Sequence, residues 1–244
     1  MTTEQPAWVL ARKSYGDNGL LVEFLTSEWG RCSAVVRGAH RKKRGGTLAS
    51  LLQPFQPLLV TMIGRGELKT VRQVEAPVPG YHLQGEALIH GLYVNELLIR
   101  VLPRFDALPQ LFLAYGVAAE QLGTDASEST LRRFELVLLS ELGYRLNLQA
   151  DENGEAIQGH LRYCFEAERG LCAAIARPGA SEPMAFTGDQ LLRLQHWCDE
   201  GLELMQDDLI ALKRLTRVAM TQLTSGRTLH TQALVRNLRS HQRN

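Results

Sequence analysis

The apolar residues change their spacing once along the chain, near Pro77 and Pro79, and that change divides it into a strand-forming part and a helix-forming part. Between Ala7 and Glu75 they gather in five short runs, at 8–12, 20–25, 31–36, 57–63 and 68–74. In the second run Leu20, Val22 and Phe24 alternate with less apolar positions, the period of a strand with one buried face. Turns rich in glycine and polar residues separate the runs, as at Gly16-Asp-Asn-Gly19, Glu28-Trp-Gly30 and Gly64-Arg-Gly66. Five strands in about 70 residues suit a small closed barrel, either an OB-fold or an SH3-like barrel. Strand counting does not separate the two.

Beyond the prolines the spacing is helical. Leu88, Ile89, Leu92, Tyr93 and 96–99 recur at three and four, and Pro103 stops the run. A second helix is predicted over 109–122 with Gly123 just past its end, where a left-handed residue is favoured. Asp125 stands three residues before Glu128 in a capping-box arrangement, and a third helix follows over 129–142, ending at Gly143. Residues 144–186 break the rhythm with the Asp151-Glu-Asn-Gly154 turn and a hairpin pairing 161–165 with 171–175. Helices over about 188–200 and 207–223 and a basic turn around 231–239 complete an α+β chain. The expected domains are a barrel at 1–79 and a helical domain at 80–244, with an insertion at about 144–186.

The net charge of +1 conceals a segregation. Residues 1–80 hold eleven lysines and arginines against six acids, 81–208 nine against twenty, and 209–244 seven against none. Two basic surfaces suited to a polyanion are therefore separated by an acidic body. Met1–Trp8 lacks a basic start with an apolar run behind it, and no stretch approaches the ~18 apolar residues of a membrane span, so a soluble, cytoplasmic protein without membrane contact is expected. The four cysteines, Cys32, Cys164, Cys172 and Cys198, are scattered without a C-x2-C pair, which points to reduced thiols and no metal. No nucleophile elbow, phosphate loop, zinc-protease helix or dinucleotide fingerprint occurs, and the seven histidines are dispersed. No catalytic residues and no cofactor are expected.

The strongest local signal is Arg37-Gly-Ala-His-Arg-Lys-Lys-Arg-Gly-Gly46, which follows a strand directly. Arg37, Arg41, Lys42, Lys43 and Arg44, with His40 beside them, are candidate phosphate ligands, and Arg31, Arg65, Lys69 and Arg72 from neighbouring strands and turns are expected to line the same groove. Lysine and arginine release condensed counterions when they meet phosphates. Aromatic residues are sparse here: Tyr15 and Trp29 are candidates for base stacking, whereas Phe24 and Phe55 read as core. Binding dominated by the nucleic-acid backbone, tolerant of single and double strands, is the expectation.

Leu51-Leu-Gln-Pro-Phe-Gln-Pro57, Gly64-Arg-Gly-Glu-Leu-Lys69, Gly91-Leu-Tyr-Val-Asn-Glu-Leu-Leu98 and the segment from Leu131 to Tyr144 resemble, in order, the RecO family of bacterial DNA repair proteins. The resemblance implies an N-terminal OB-fold, a helical domain with a small insertion, and a recombination mediator that binds and anneals single-stranded DNA. It also implies partners: RecR, the acidic C-terminal tail of the single-stranded DNA-binding protein and, indirectly, RecA. For that tail, Arg132 first and Arg133 second, beside Leu131 and Phe134, are the expected contacts on the third helix. Many members carry two C-x2-C pairs in a zinc finger after the position of Gly143; here the spacing is missing, so the hairpin is expected to be a metal-free remnant. The alternative reading is an OB-fold RNA-binding or ribosome-associated structural protein.

Overall fold

In the computed structural model the described residues are 3–42, 46–174, 185–200, 204–224, 226–227, 229–231 and 233. Five strands, β1 (Thr3–Tyr15), β2 (Gly19–Thr26), β3 (Gly30–Val36), β4 (Leu58–Ile63) and β5 (Leu68–Glu75), close into a barrel of order β1-β2-β3-β5-β4. β1 pairs with both β2 and β4, and β3 runs parallel to β5. This closure is the OB topology, and it settles the choice that strand counting left open. The alternating residues Leu20, Val22 and Phe24 fill the interior with Cys32, Ala34, Val60 and Met62, all fully or almost fully buried. A four-residue helix, α1 (Leu48–Leu51), is capped by the Thr47 side chain and packs against that core through Ala49. Its length is too short for a periodic signal, so the sequence does not announce it.

The register of β1 on β2 jumps from Val9↔Phe24 to Ala11↔Glu23 and leaves Leu10 as an extra, bulged residue. Its carbonyl accepts a hydrogen bond from Asn95 Nδ2 at 3.0 Å, and Tyr115 Oη donates to Asn95 Oδ1 at 2.7 Å. Asn95 lies in α2 (Gly85–Val101) and Tyr115 in α3 (Pro109–Thr124), so one buried polar chain ties both helices to the barrel. Trp8, on the same strand, packs 6.4 Å from the Tyr81 ring and 5.3 Å from that of Tyr115. Gly91 lets Phe55 approach α2, since a Cβ there would lie 2.6 Å from the phenyl ring. These packing interactions explain why the compact units divide after Ser127, where the strand-to-helix change at 79–80 marks only the end of the barrel: one unit comprises 1–127 and 228–244, the other 128–227. In the first unit Glu96 accepts hydrogen bonds from the backbone N–H groups of His230 and Thr231.

The second unit contains α4 (Glu128–Glu141), a sheet of order β7-β6-β8 made by β6 (Arg162–Glu166), β7 (Gly170–Ala173) and β8 (Ala185–Thr187), then α5 (Gly188–Glu200) and α6 (Gln206–Leu223). The expected hairpin is present as β6–β7, and β8, too short to read from sequence, adds to its other edge. Gly143 closes α4 at φ +83 in a Schellman arrangement, with Tyr144 N–H on Leu139 O and Gly143 N–H on Ser140 O. Gly123 differs from expectation: α3 continues to Thr124, and Asp125 closes it through its N–H to Gln121 O, so Asp125 ends one helix instead of opening the next. Arg193 grips the buried Asp208 with two nitrogens, at 2.9 and 2.7 Å, between α5 and α6. Among the described residues no helix is long and apolar enough to cross a membrane.

The polar chain makes a testable claim about stability. Asn95→Ala leaves the Leu10 carbonyl and the Tyr115 hydroxyl buried without their partner, at about 1–3 kcal/mol each. Chemical denaturation of Asn95→Ala is expected to show a loss of about 3 kcal/mol, with Tyr115→Phe losing roughly 1 kcal/mol; equal stability of wild type and Asn95→Ala would remove the chain from the account.

Candidate functional site

The basic loop after β3 is anchored at its centre. Ala39 is fully buried in the barrel core, its carbonyl accepts from Ala49 N–H of α1 at 2.9 Å, and the His40 N–H reaches Asn18 O at 3.4 Å. Gly38 takes φ +62, and Arg41 N–H closes the turn on Gly38 O at 3.0 Å. An alanine fits this role because a larger side chain would overfill the site between β3 and α1. Arg37, His40, Arg41 and Lys42 are left at the surface around the buried alanine. Among the described residues no carboxylate forms an ion pair with Arg37, Arg41 or Lys42. Lys43 and Arg44 lie outside the described residues.

The other predicted residues separate into three places. The β4–β5 register jumps from Thr61↔Gln73 to Met62↔Val71, which makes Arg72 a bulged, exposed residue. The parallel register Val35↔Thr70 carries it to the level at which the chain leaves β3 for Arg37. Arg65 is exposed in the β4–β5 turn, and Lys69 stands near the start of β5. That turn lies toward the opposite end of the barrel from the basic loop, about 20 Å away along a strand the length of β3. Arg31 does not join the groove. Its guanidinium donates to Leu102 O at 3.0 Å and pairs with Glu23 at 3.5 Å, while Arg104 pairs with the same Glu23 at 3.2 Å and reaches Ser33. Burial lowers the Arg31 pKa, against the pull of Glu23. This side chain fastens the segment after α2 to the outer surface of β2 and β3.

Two further basic residues border the loop and carry no signal in the charge run itself. Arg12 donates to Ala49 O of α1 at 2.6 Å, and Lys13 is exposed one residue on. Their place just before the Gly16–Gly19 turn, on a strand paired with β2, is the signal that could have found them. Of the aromatic candidates, Tyr15 is 48% exposed and Trp29 half-buried, whereas Phe24 and Phe55 are buried as expected.

On α4 the two arginines take different environments. Arg132 is buried, pairs with Glu135 at 2.8 Å and donates to Thr216 Oγ1 of α6 at 3.1 Å. Arg132, the residue expected to lead the partner contact, thus lies buried at the junction of α4 and α6 beside Glu135. Arg133 is exposed, its guanidinium 4.6 Å from the centre of the Trp197 ring of α5, and Leu131 and Phe134 are buried in the packing of this unit. Cys164 and Cys172 face each other across β6 and β7, Cys32 is buried in the barrel with its thiol pushed up to about 12 by burial, and Cys198 is exposed on α5. Among the described residues no three potential metal ligands come together, so the residues present do not fit a four-thiolate zinc site.

A family model described as the N-terminal domain of recombination protein O matches residues 1–77, and one described as its C-terminal domain matches 82–230. The chain belongs to the RecO family. It is 39% identical over 237 residues to the DNA repair protein RecO of Halorhodospira halophila, covering 96% of this chain and 97% of that one. To RecO of Alkalilimnicola ehrlichii it is 38% identical, covering 96% and 91%, and to RecO of Shigella flexneri 37%, covering 95% and 93%. Membership of the RecO family makes this a DNA repair protein, and the barrel whose loop carries the exposed cations is the part matched by the N-terminal model.

Proposed function

We propose that the chain acts without catalysing a reaction, as a recombination mediator that binds and anneals single-stranded DNA, also binds duplex DNA, and with RecR helps load RecA. The carrying observation is the basic loop: Arg37, Arg41 and Lys42 stand exposed around a buried Ala39, with no carboxylate paired to any of them among the described residues. A loop whose backbone is anchored before a ligand arrives loses less freedom on binding, and each phosphate its cations neutralise releases counterions. The proposed DNA surface runs from Arg37, His40, Arg41 and Lys42, with Lys43 and Arg44 next in sequence, to Arg72, Arg12 and Lys13. Arg65 and Lys69 form its far end, and Arg31 is left out. A surface made mostly of arginine and lysine grips the phosphodiester backbone, which single and double strands share.

Arg41→Glu combined with Lys42→Glu tests the assignment. The pair is expected to weaken binding to both DNA forms, to flatten log affinity against log salt by roughly 0.7–0.9 for each phosphate no longer neutralised, and to slow annealing of complementary strands coated with single-stranded DNA-binding protein. Unchanged affinity and slope would refute it.

The proposed site for the acidic tail of the single-stranded DNA-binding protein moves to Arg133, since a carboxylate needs a guanidinium that solvent can reach. Arg133→Ala is expected to abolish most binding of a synthetic tail peptide while costing less than about 1 kcal/mol of stability. Arg132→Ala, which removes a buried guanidinium from between Glu135 and Thr216, is expected to lower stability by about 3 kcal/mol in thermal unfolding. Peptide binding that survives Arg133→Ala intact would place the tail elsewhere.

A further inference from the structure

At the end of the barrel away from the basic loop, the Lys69 ammonium stands 4.8 Å from the centre of the Phe105 ring and 5.4 Å from that of Trp29. It also donates to Gly64 O at 3.2 Å. Trp29 belongs to the β2–β3 turn, Gly64 and the exposed Arg65 to the β4–β5 turn, and Phe105 to the segment between α2 and α3. Three chain segments thus converge on one cation. Phe105 is the unusual member. Its backbone takes φ +57, a conformation that costs a bulky side chain energy and that asparagine or glycine adopts more readily. Phe105 is 37% exposed, so part of an aromatic surface is left facing solvent.

The segment that carries Phe105 is clamped. Phe105 N–H donates to Arg31 O at 3.0 Å, Arg31 and Arg104 form a parallel bridge, and the Arg104 guanidinium holds Glu23. Gly30 completes the clamp: it sits at φ +61, and a Cβ on it would collide with the Asp106 carbonyl. A partly exposed phenyl ring is therefore held rigidly, in a strained conformation, beside an ammonium and next to an exposed arginine.

We infer that Phe105, with Trp29 and Lys69, forms a nucleotide-stacking site that takes an unpaired base on the aromatic surface and its phosphate on Lys69 and Arg65. This inference rests on the DNA-binding reading of the barrel and adds to it a preference for single strands. A duplex hides the faces of its bases in its own stack, so an aromatic platform rewards only the single-stranded form. The basic loop serves both forms, and the site at the other end discriminates between them. The site also gives a strand two attachment points about 20 Å apart along the barrel, the span of several nucleotides.

The test compares full-length wild type with Phe105→Asn, which keeps a residue tolerant of positive φ and removes the ring, and with Phe105→Tyr, which restores a ring. Affinities for oligothymidylate and for a duplex of equal length are measured by fluorescence anisotropy. Phe105→Asn is expected to weaken oligothymidylate binding about tenfold and duplex binding less than about twofold, with Phe105→Tyr near wild type. Equal losses for the two ligands, or no loss for oligothymidylate, would overturn the stacking site while leaving the basic loop standing. Absence of binding to either ligand by the wild type would overturn the DNA-binding reading and the stacking site together.

Discussion

One extra residue in β1 organises the barrel unit. Before the bulge Val9 lies inside, opposite Phe24; after it Arg12, not Ala11, stands opposite Val22 at the end of the barrel. The change of side brings the Arg12 guanidinium to the Ala49 carbonyl of α1, the same residue whose N–H holds Ala39 of the basic loop. The bulge also frees the Leu10 carbonyl from the sheet ladder and offers it to Asn95. A single irregularity thus fixes the helices on one side and steadies the basic loop at the barrel end. Without the extra residue Ala11, not Arg12, would stand opposite Val22.

The barrel uses its remaining charges in two distinct ways. On the outside of β2 and β3, Glu23, Arg31, Arg104 and Ser33 satisfy one another, and the arginines there spend their hydrogen bonds on structure. Around Ala39 the cations are exposed, and their mutual repulsion is tolerated because water and counterions screen it. Proximity in sequence does not sort a residue into one group or the other. Arg31 and Arg37 are six positions apart and lie in opposite classes. The same division recurs on α4, where adjacent Arg132 and Arg133 part into a buried structural ion pair and an exposed cation on Trp197.

Much of this is legible in the sequence where one face of an element is buried. The alternation of Leu20, Val22 and Phe24 marks the inward side of β2, and the spacing from Leu88 to Ile99 marks α2, because burial on one side imposes a period. Gly143 is readable as a helix stop, whereas Gly123 is not, since a helix ends where its last carbonyls find partners and Asp125 supplies one two residues later. Arg31 reads from sequence as part of the groove because its partner Leu102 lies 71 residues away, and no local pattern carries that distance. Arg132 likewise reads ahead of Arg133 because its partner Thr216 is 84 residues off. Phe105 gives no sign in the sequence at all, for its importance lies in a positive φ and in a cation from another strand.

The central claim is that nucleic acid is held on the barrel, at the loop that Ala39 pins. Photo-cross-linking of an oligonucleotide carrying 4-thiothymidine, followed by peptide mapping, tests it most directly. Cross-linked peptides are predicted to come from the barrel and to include the loop after β3, residues 37–46. Cross-links concentrated in residues 128–227, with the loop unlabelled, would contradict the account.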